Sequence, residues 1–436
     1  MGTKNIGIYV HIPFCKKKCE YCDFKSYTGK ESLIEQYIKW VKYELQEVGE
    51  GNRKDYEEGR DDLVIVKSIY IGGGTPSIIP AKYISEILDT IKKYFVLADI
   101  DNSEKSNKTN KYTINQSSNN QPICNFLYLS DNNIKTTENS ANKTGSTEIT
   151  IEVNPGTVDE TKLKEYKKCG INRLSIGLQS TNDRILKTLG RIHTYTDFLN
   201  TYNTARKIGF ENINVDLMLG IPNQTIEDVE ESINNIIKLS PEHISTYSLI
   251  LEEGTPFYNK LEANEITLPS DEIERKMYWL VKTKLEEAGY THYEISNFAK
   301  KGYESKHNLA CWNQEEYIGI GAAAHSYTNN VRYSNVDTIE EYINNYETGN
   351  EVDNIIFHEK QNKTSKMQEF MLLGLRKIDG VHIQDFKNKF GENPIFLYRK
   401  ELEKLVNENL VEIDGDTIKL TNQGLDLANL VWEEFV

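Results

Sequence analysis

Three cysteines, Cys15, Cys19 and Cys22, fall within the short stretch HIPFCKKKCEYCDF. Their C-x3-C-x2-C spacing lets a short loop turn three sulfurs to one side, and thiolates are the soft ligands that zinc and iron–sulfur clusters both accept. The number of thiols is informative. A closed structural zinc site takes four protein ligands, so a zinc reading needs a distant fourth, such as His11 or His325. A cluster that also holds a substrate needs one coordination position left open. Spacing alone leaves both readings open. Six cysteines in 436 residues are too sparse for a disulfide scaffold, and the tight group suits a reducing compartment where thiols serve metals.

Further polar signatures follow in order. IYIGGGTPS places Gly72, Gly73 and Gly74 where backbone without a Cβ can approach a ligand, although a glycine run also makes a plain turn. IEVNP presents Glu152, placed to hold a cation or a ribose hydroxyl. RLSIGLQS supplies Gln179, GRIHTY supplies Arg191 and NVDLMLGIP supplies Asp216. Any one of these is an ordinary strand-end polar residue. Several of them at the same end of successive strands, beside a cysteine loop, make a site.

The elements that must position them are visible as six apolar, β-branched segments at 6–12, 66–73, 148–155, 171–177, 213–222 and 243–250. Stretches such as SLIEQYIKWVKYELQEV and TIEDVEESINNIIKL, with apolar residues at helical spacing, lie between them. Alternating strands and helices imply a parallel sheet with right-handed crossovers. Six units are too few for a closed eight-stranded barrel, so the expected fold is α/β, an open partial (β/α)6 barrel with its functional loops after the strand C-termini. Residues 1–255 are assigned to this barrel and residues 256–354 to a segment that covers it. The stretch at about 99–146, rich in Asn, Ser, Thr and Lys, cannot bury enough apolar area to offset chain entropy; it reads as a surface insertion, with Cys124 an incidental thiol. Residues 355–436 read as helices, a short hairpin at DGD and a closing helix, a winged-helix-like module.

Composition narrows the function. Fifty-one Lys and Arg against 66 Asp and Glu give a net charge of −15, which argues against a nucleic-acid partner and makes an interaction or lid role the better reading of the C-terminal module. No apolar run is long enough for a transmembrane helix, and the N-terminal residues do not read as an export signal, so a cytoplasmic protein is expected.

The order of motifs, C-x3-C-x2-C, GGGTP, E-x-N-P, R-x-S-x-G-x-Q-S, D-x-x-x-G-x-P, YSLILEEGTPFY and YEISNFA, resembles radical S-adenosylmethionine (SAM) proteins related to oxygen-independent coproporphyrinogen III oxidase. The resemblance spans nearly the whole chain outside the Asn-rich insertion. It implies that Cys15, Cys19 and Cys22 bind a [4Fe–4S] cluster whose fourth iron chelates SAM, that an electron donor serves the cluster, and that reductive cleavage of SAM yields a 5′-deoxyadenosyl radical. It assigns Tyr9 and Tyr21 to the walls of the SAM site, and Gly73, Gly74, Thr75 and Glu152 to its methionyl and ribose portions. Gln179, Arg191 and Asp216 match positions that hold a second SAM in the decarboxylase.

Two departures point to the heme-chaperone (HemW) branch of that family. The oxidases resemble C-x3-C-x2-C-x-C, yet Phe24 stands where the fourth cysteine would be, and they carry a longer leader before the cluster. HNLACW at 307–312 is near the H-N-x-x-Y-W motif of that branch, with Cys311 in place of the tyrosine; it makes His307 a candidate heme ligand or a residue that merely orders the following loop. The expectation is a chaperone that binds cluster, SAM and heme and passes heme to acceptor proteins, with no catalytic residue assigned and coproporphyrinogen decarboxylation as the alternative. The oligomeric state, a dimer included, is left open.

Overall fold

A computed structural model describes residues 2–98 and 146–436. The Asn-rich insertion and Cys124 therefore lie outside the described residues. Six parallel strands form the centre of the main sheet: β1 (Thr3–Ile12), β2 (Leu63–Gly73), β4 (Glu148–Val153), β5 (Arg173–Gln179), β6 (Ile213–Leu219) and β7 (His243–Ser248), neighbours in that order, with a short β3 (Val96–Leu97) beside β2. Helices between them bury one apolar face each. Ile34–Glu57 buries Tyr37, Ile38, Val41 and Leu45, and Ala81–Tyr94 buries Ile84, Ile87, Leu88 and Ile91. Two later helices open on capping boxes, Thr194 with Asp197 and Thr225 with Asp228, which satisfy the first free N–H groups and fix where each helix starts.

The strands alternate. In β4, Ile149, Ile151 and Val153 enter the main hydrophobic core while Glu148, Thr150 and Glu152 fall on the other face. In β5, Leu174 and Ile176 alternate with Arg173, Ser175 and Gly177, and in β6 Val215 and Leu217 alternate with Asn214 and Asp216. A parallel sheet covered by helices on both faces needs no such alternation. Here one face packs under the helices and the other lines a polar interior.

The expected six units are present, and the sheet continues beyond them. After β7, the antiparallel β8 (Thr291–Glu294) and β9 (Asn297–Ala299) close one edge. The helix Lys306–Trp312 then packs against β1 and β2, with the Lys306 and His307 N–H groups bonded to Glu148 Oε1 at 3.1 and 3.4 Å at the start of β4. β10 (Glu316–Ile320) pairs parallel to β1, and β11 (His325–Thr328), β12 (Val331–Asn335) and β13 (Ile355–Lys360) extend that side antiparallel, for thirteen strands in all among the described residues. Residues 256–360 thus supply both sheet edges and a helix across the N-terminal ends of the central strands, so the edge strand β13 falls in the stretch assigned from the sequence to the C-terminal module.

The C-terminal part has its own core of Met371, Phe386, Phe390, Leu402, Val431 and Phe435, among others. Its helices Lys363–Gly374, Ile383–Phe390 and Arg399–Asn407 precede a hairpin of β15 (Val411–Asp414) and β16 (Thr417–Leu420), joined by β14 (Val381–His382) in the order β14-β16-β15. This is the winged-helix-like order read from the sequence.

Candidate functional site

The cysteine loop leaves the C-terminal end of β1 and is held by backbone. Cys15 N bonds Tyr27 O at 2.9 Å and Tyr27 N bonds Pro13 O at 2.7 Å, while Glu20 N reaches Leu189 O at 3.1 Å and Phe257 N reaches Glu20 O at 2.9 Å. The loop is therefore pinned to β1, to the β5–β6 connection and to the segment after β7. Cys15 is buried with Sγ 3.5 Å from Thr75 Oγ1, and Cys19 Sγ accepts a hydrogen bond from Arg191 Nη1 at 3.6 Å. Burial, opposed by the Phe24 N–H and assisted by the charges of Cys19 and Cys15, pushes the Cys22 thiol up, so metal uptake must displace its proton.

Does this loop fit a cluster? A Cβ on Gly74 would meet Phe14 O at 2.8 Å and Cys15 Sγ at 3.0 Å, so only glycine lets the β2 loop lie this close to the thiol. The donors are three thiols with an arginine beside one of them, a set suited to a net-negative iron–sulfur centre. Among the described residues no three His, Cys, Asp or Glu side chains are grouped to hold a single metal ion. A four-iron cluster places its cysteine ligands on different irons and has no such requirement. His11, the nearer candidate for a fourth zinc ligand, has Nδ1 bonded to Tyr9 Oη at 2.8 Å and Nε2 to Lys25 O at 2.9 Å, which leaves neither nitrogen free.

Beside the loop, β2 ends in Gly73, whose φ of +116° suits glycine and whose Cβ position would collide with the His11 ring at 2.7 Å. Gly73 N–H and Tyr70 Oη donate to the two oxygens of Glu152, at 3.2 and 2.9 Å. Burial, the strongest influence, raises the Glu152 pKa to about 7 against these two hydrogen bonds, with the Asp216 charge assisting. Tyr9 stacks on Tyr70 at 6.3 Å. Thr75 follows, its Oγ1 receiving Asn154 Nδ2 at 2.9 Å.

Arg191 lies across the mouth. Its Nη2 donates to Asn154 Oδ1 and to Gly177 O, both at 2.6 Å. Against burial, Tyr21 and Cys19 hold its pKa above the ordinary value, and burial raises that of Tyr21. Gln179 ends β5 in a left-handed conformation, φ +72°, with a buried Oε1 that has no hydrogen-bond partner. Asp216 accepts Asn214 Nδ2 at 2.6 Å and Ser175 Oγ at 3.5 Å, and burial raises its pKa. Asn214 is in turn fixed by His243 Nδ1 at 2.6 Å, whose Nε2 meets Tyr293 Oη at 2.8 Å.

Tyr247 on β7 is 40% accessible, yet surrounding protein raises its pKa by desolvation. A side chain both accessible and enclosed lines a hollow. Glu152, Asp216, Tyr9 and Tyr70 share that character, each partly exposed with an ionisation governed by burial. The structure thus gathers Cys15, Cys19, Cys22, Tyr9, Tyr21, Gly73, Gly74, Thr75, Glu152, Gln179, Arg191 and Asp216 at the mouth and in the polar interior of the barrel. His307 lies apart from the cysteine loop, buried, with Nδ1 3.0 Å from Ser68 Oγ and its ring 5.2 Å from Tyr70; burial and the Arg173 charge lower its pKa to about 4. Tyr70, Asn154, Arg173 and Tyr247 were not picked out as site residues, and His11 was weighed only as a zinc ligand. The alternation of their strands was the signal that could have found them.

Fold and site define a class, a partial barrel with a three-thiol loop at its mouth. The sequence profile of the radical SAM superfamily matches residues 9–236, and that of the HemN C-terminal domain matches residues 361–427. The chain is 35% identical over 435 residues to the heme chaperone HemW of Bacillus subtilis (strain 168), covering 98% of each, and 32% identical over 436 residues to that of Lactococcus lactis subsp. lactis (strain IL1403), covering 100% of this chain and 98% of the other. In fold it is similar to coproporphyrinogen III oxidase (HemN) from Escherichia coli, a radical SAM enzyme, at a TM-score of 0.74 and 19% identity, covering 100% of this chain and 90% of that one. The chain belongs to the HemW family within the radical SAM superfamily. Membership implies SAM and a [4Fe–4S] cluster as cofactors.

Proposed function

We propose that this protein is a heme chaperone that carries a [4Fe–4S] cluster on Cys15, Cys19 and Cys22, holds SAM at the barrel mouth, binds heme and passes it to acceptor proteins. The observation that carries the cofactor reading is the set of three thiols at one barrel mouth, with Gly74 against Cys15 and Arg191 against Cys19. Bound there, the cluster supplies one-electron reduction of SAM. The chain's own residues do the rest. Gly73, Gly74, Thr75 and Glu152 hold the methionyl and ribose portions, Tyr9 and Tyr21 wall the site, and Arg191 offsets the negative charge of the thiolates. Gln179 and Asp216 face the polar interior, Gln179 with an unused acceptor.

The heme assignment rests on the full-length similarity to proteins named heme chaperone HemW. His307 is the candidate iron ligand, because at a pKa of about 4 it is the neutral imidazole that ligates iron. The second reading, coproporphyrinogen III decarboxylation, is favoured by the HemN-like fold. Anaerobically reconstituted protein, titrated with hemin and assayed in parallel with coproporphyrinogen III and SAM, separates the two. Saturable hemin binding near one per chain without protoporphyrinogen formation is expected; turnover without saturable hemin binding would replace the chaperone reading. His307→Ala should weaken hemin binding and leave cluster absorbance unchanged. Unaltered hemin affinity in that variant would remove His307 as the ligand.

A further inference from the structure

Arg173 opens β5 on the polar face of the barrel, and its side chain is 2% exposed. Its Nε has no hydrogen-bond partner, and no carboxylate among the described residues lies at ion-pair distance from the guanidinium, whose charge is felt by Asp216 only across a longer gap, where it opposes the burial that raises that carboxyl's pKa. The interior carboxylates are engaged elsewhere. Glu148 takes the N–H groups of Lys306 and His307, Glu152 takes Tyr70 and Gly73, and Asp216 takes Asn214 and Ser175. Arg173 is directly paired in register with Thr150 on β4, which is fully buried and whose Oγ1 also lacks a partner. Thr150 is in turn paired with Tyr70, whose partly exposed ring borders the hollow.

Two unsatisfied donors on neighbouring strands, one of them charged, are costly in a protein interior unless something completes them. The group that suits a guanidinium fork and a hydroxyl together is a carboxylate, which accepts several hydrogen bonds at once. We propose that Arg173 and Thr150 form a carboxylate-binding site in the barrel interior, taking a carboxylate of the ligand that enters through the mouth. The site goes deeper than the ring of residues around the cysteine loop. Its occupant is a propionate of a tetrapyrrole or the methionyl carboxylate of a second SAM molecule, beyond the one held at the cysteine loop, and the first of these rests on the heme-chaperone reading.

The test uses the full chain with Arg173→Met and Arg173→Lys, reconstituted anaerobically and titrated with hemin, hemin dimethyl ester and SAM. A propionate site predicts that Arg173→Met weakens hemin at least about ten-fold, while the diester, which lacks the carboxylates, binds wild type and variant alike. Arg173→Lys, which keeps the charge without the fork, should fall between. A comparable loss of SAM affinity with hemin unaffected supports the site with SAM as its occupant. Unchanged affinity for both ligands in Arg173→Met overturns it. Hemin failing to bind even the wild type would sink the heme reading, and the site would then stand or fall on the SAM arm. Melting of the ligand-free protein gives an independent readout. Removing a buried charge that has no close counter-ion should leave the midpoint equal or higher, and a fall of several degrees with both affinities unchanged would make Arg173 a structural residue. Should Arg173→Met not fold, the Arg173→Lys titrations decide by the same criteria.

Discussion

Cys169 and Cys311 differ from the loop cysteines in what surrounds them. Cys169 ends the helix Glu160–Lys168 with its thiol donating to Tyr166 O at 3.2 Å, and burial pushes the Cys311 thiol up to about 11. Replacing Cys15, Cys19 or Cys22 by Ala should therefore abolish cluster absorbance, while Cys169→Ala and Cys124→Ala keep it; loss in either of the last two would move the ligand set. Glu152 gives a pH test. Its folded pKa of about 7 is above the ordinary carboxyl value of 4.5, so the protonated form is favoured by folding. That contribution is complete below pH 4.5 and is lost as pH rises through about 7. Glu152→Gln should then equal wild type in stability at acid pH and exceed it by about 3 kcal/mol at pH 8 in the ligand-free state, while losing SAM affinity. A pH-independent stability difference between the two proteins would show that Glu152 does not titrate in this window. The three thiols were legible in the sequence because their spacing is local. Arg173 and Thr150 were not, because their significance depends on which strands lie side by side.

At the level of elements, the six central strands were readable from their β-branched runs, and the helices from their spacing. The seventh parallel strand, β10, was hidden because its neighbour β1 lies some three hundred residues away and no local pattern announces that pairing. The polar interior was hidden for a similar reason: Glu148-Ile149-Thr150-Ile151-Glu152 alternates, but alternation alone does not say what the polar face encloses. The insertion offers a prediction at this scale. Thr147 N and Oγ1 bond Ala98 O at 2.8 and 3.1 Å, so the chain leaves and returns at adjacent points. Deleting residues 101–145 should shift the melting temperature by no more than a few degrees and leave SAM affinity intact, since closing a long loop costs little more than closing a short one. A large drop in melting temperature would show that the segment packs on the barrel. At the other end of β2, Gly74→Ala should loosen the cluster, because the new methyl group meets Cys15 Sγ and Phe14 O. Full cluster occupancy in that variant would mean the loop relaxes freely.

For the whole molecule, the C-terminal module folds around its own core and is fastened to the barrel at a few places. Trp279 Nε1 donates to Asp426 Oδ1 at 2.8 Å, Arg275 pairs with the same carboxylate, and Arg376 sits between Trp312 and Trp432 at 4.5 and 4.9 Å from their ring centres. Asp426→Ala should speed proteolytic cleavage between barrel and module without lowering cluster content; an unchanged digestion pattern would place the fastening elsewhere. The order of helices and hairpin in that module was visible in the sequence, whereas its docking contacts join residues far apart in the chain, such as Trp279 with Asp426 and Trp312 with Arg376, and were not. Among the described residues no helix is long and apolar enough to cross a membrane. The central claim is that the barrel mouth carries a three-thiolate cluster with one iron reserved for SAM. Electron paramagnetic resonance of the reduced, reconstituted protein, recorded before and after SAM is added, tests it most directly. The account predicts a [4Fe–4S] signal whose shape changes on adding SAM and which is absent in Cys19→Ala; a signal indifferent to SAM, or metal analysis that finds zinc in place of iron and sulfide, would contradict it.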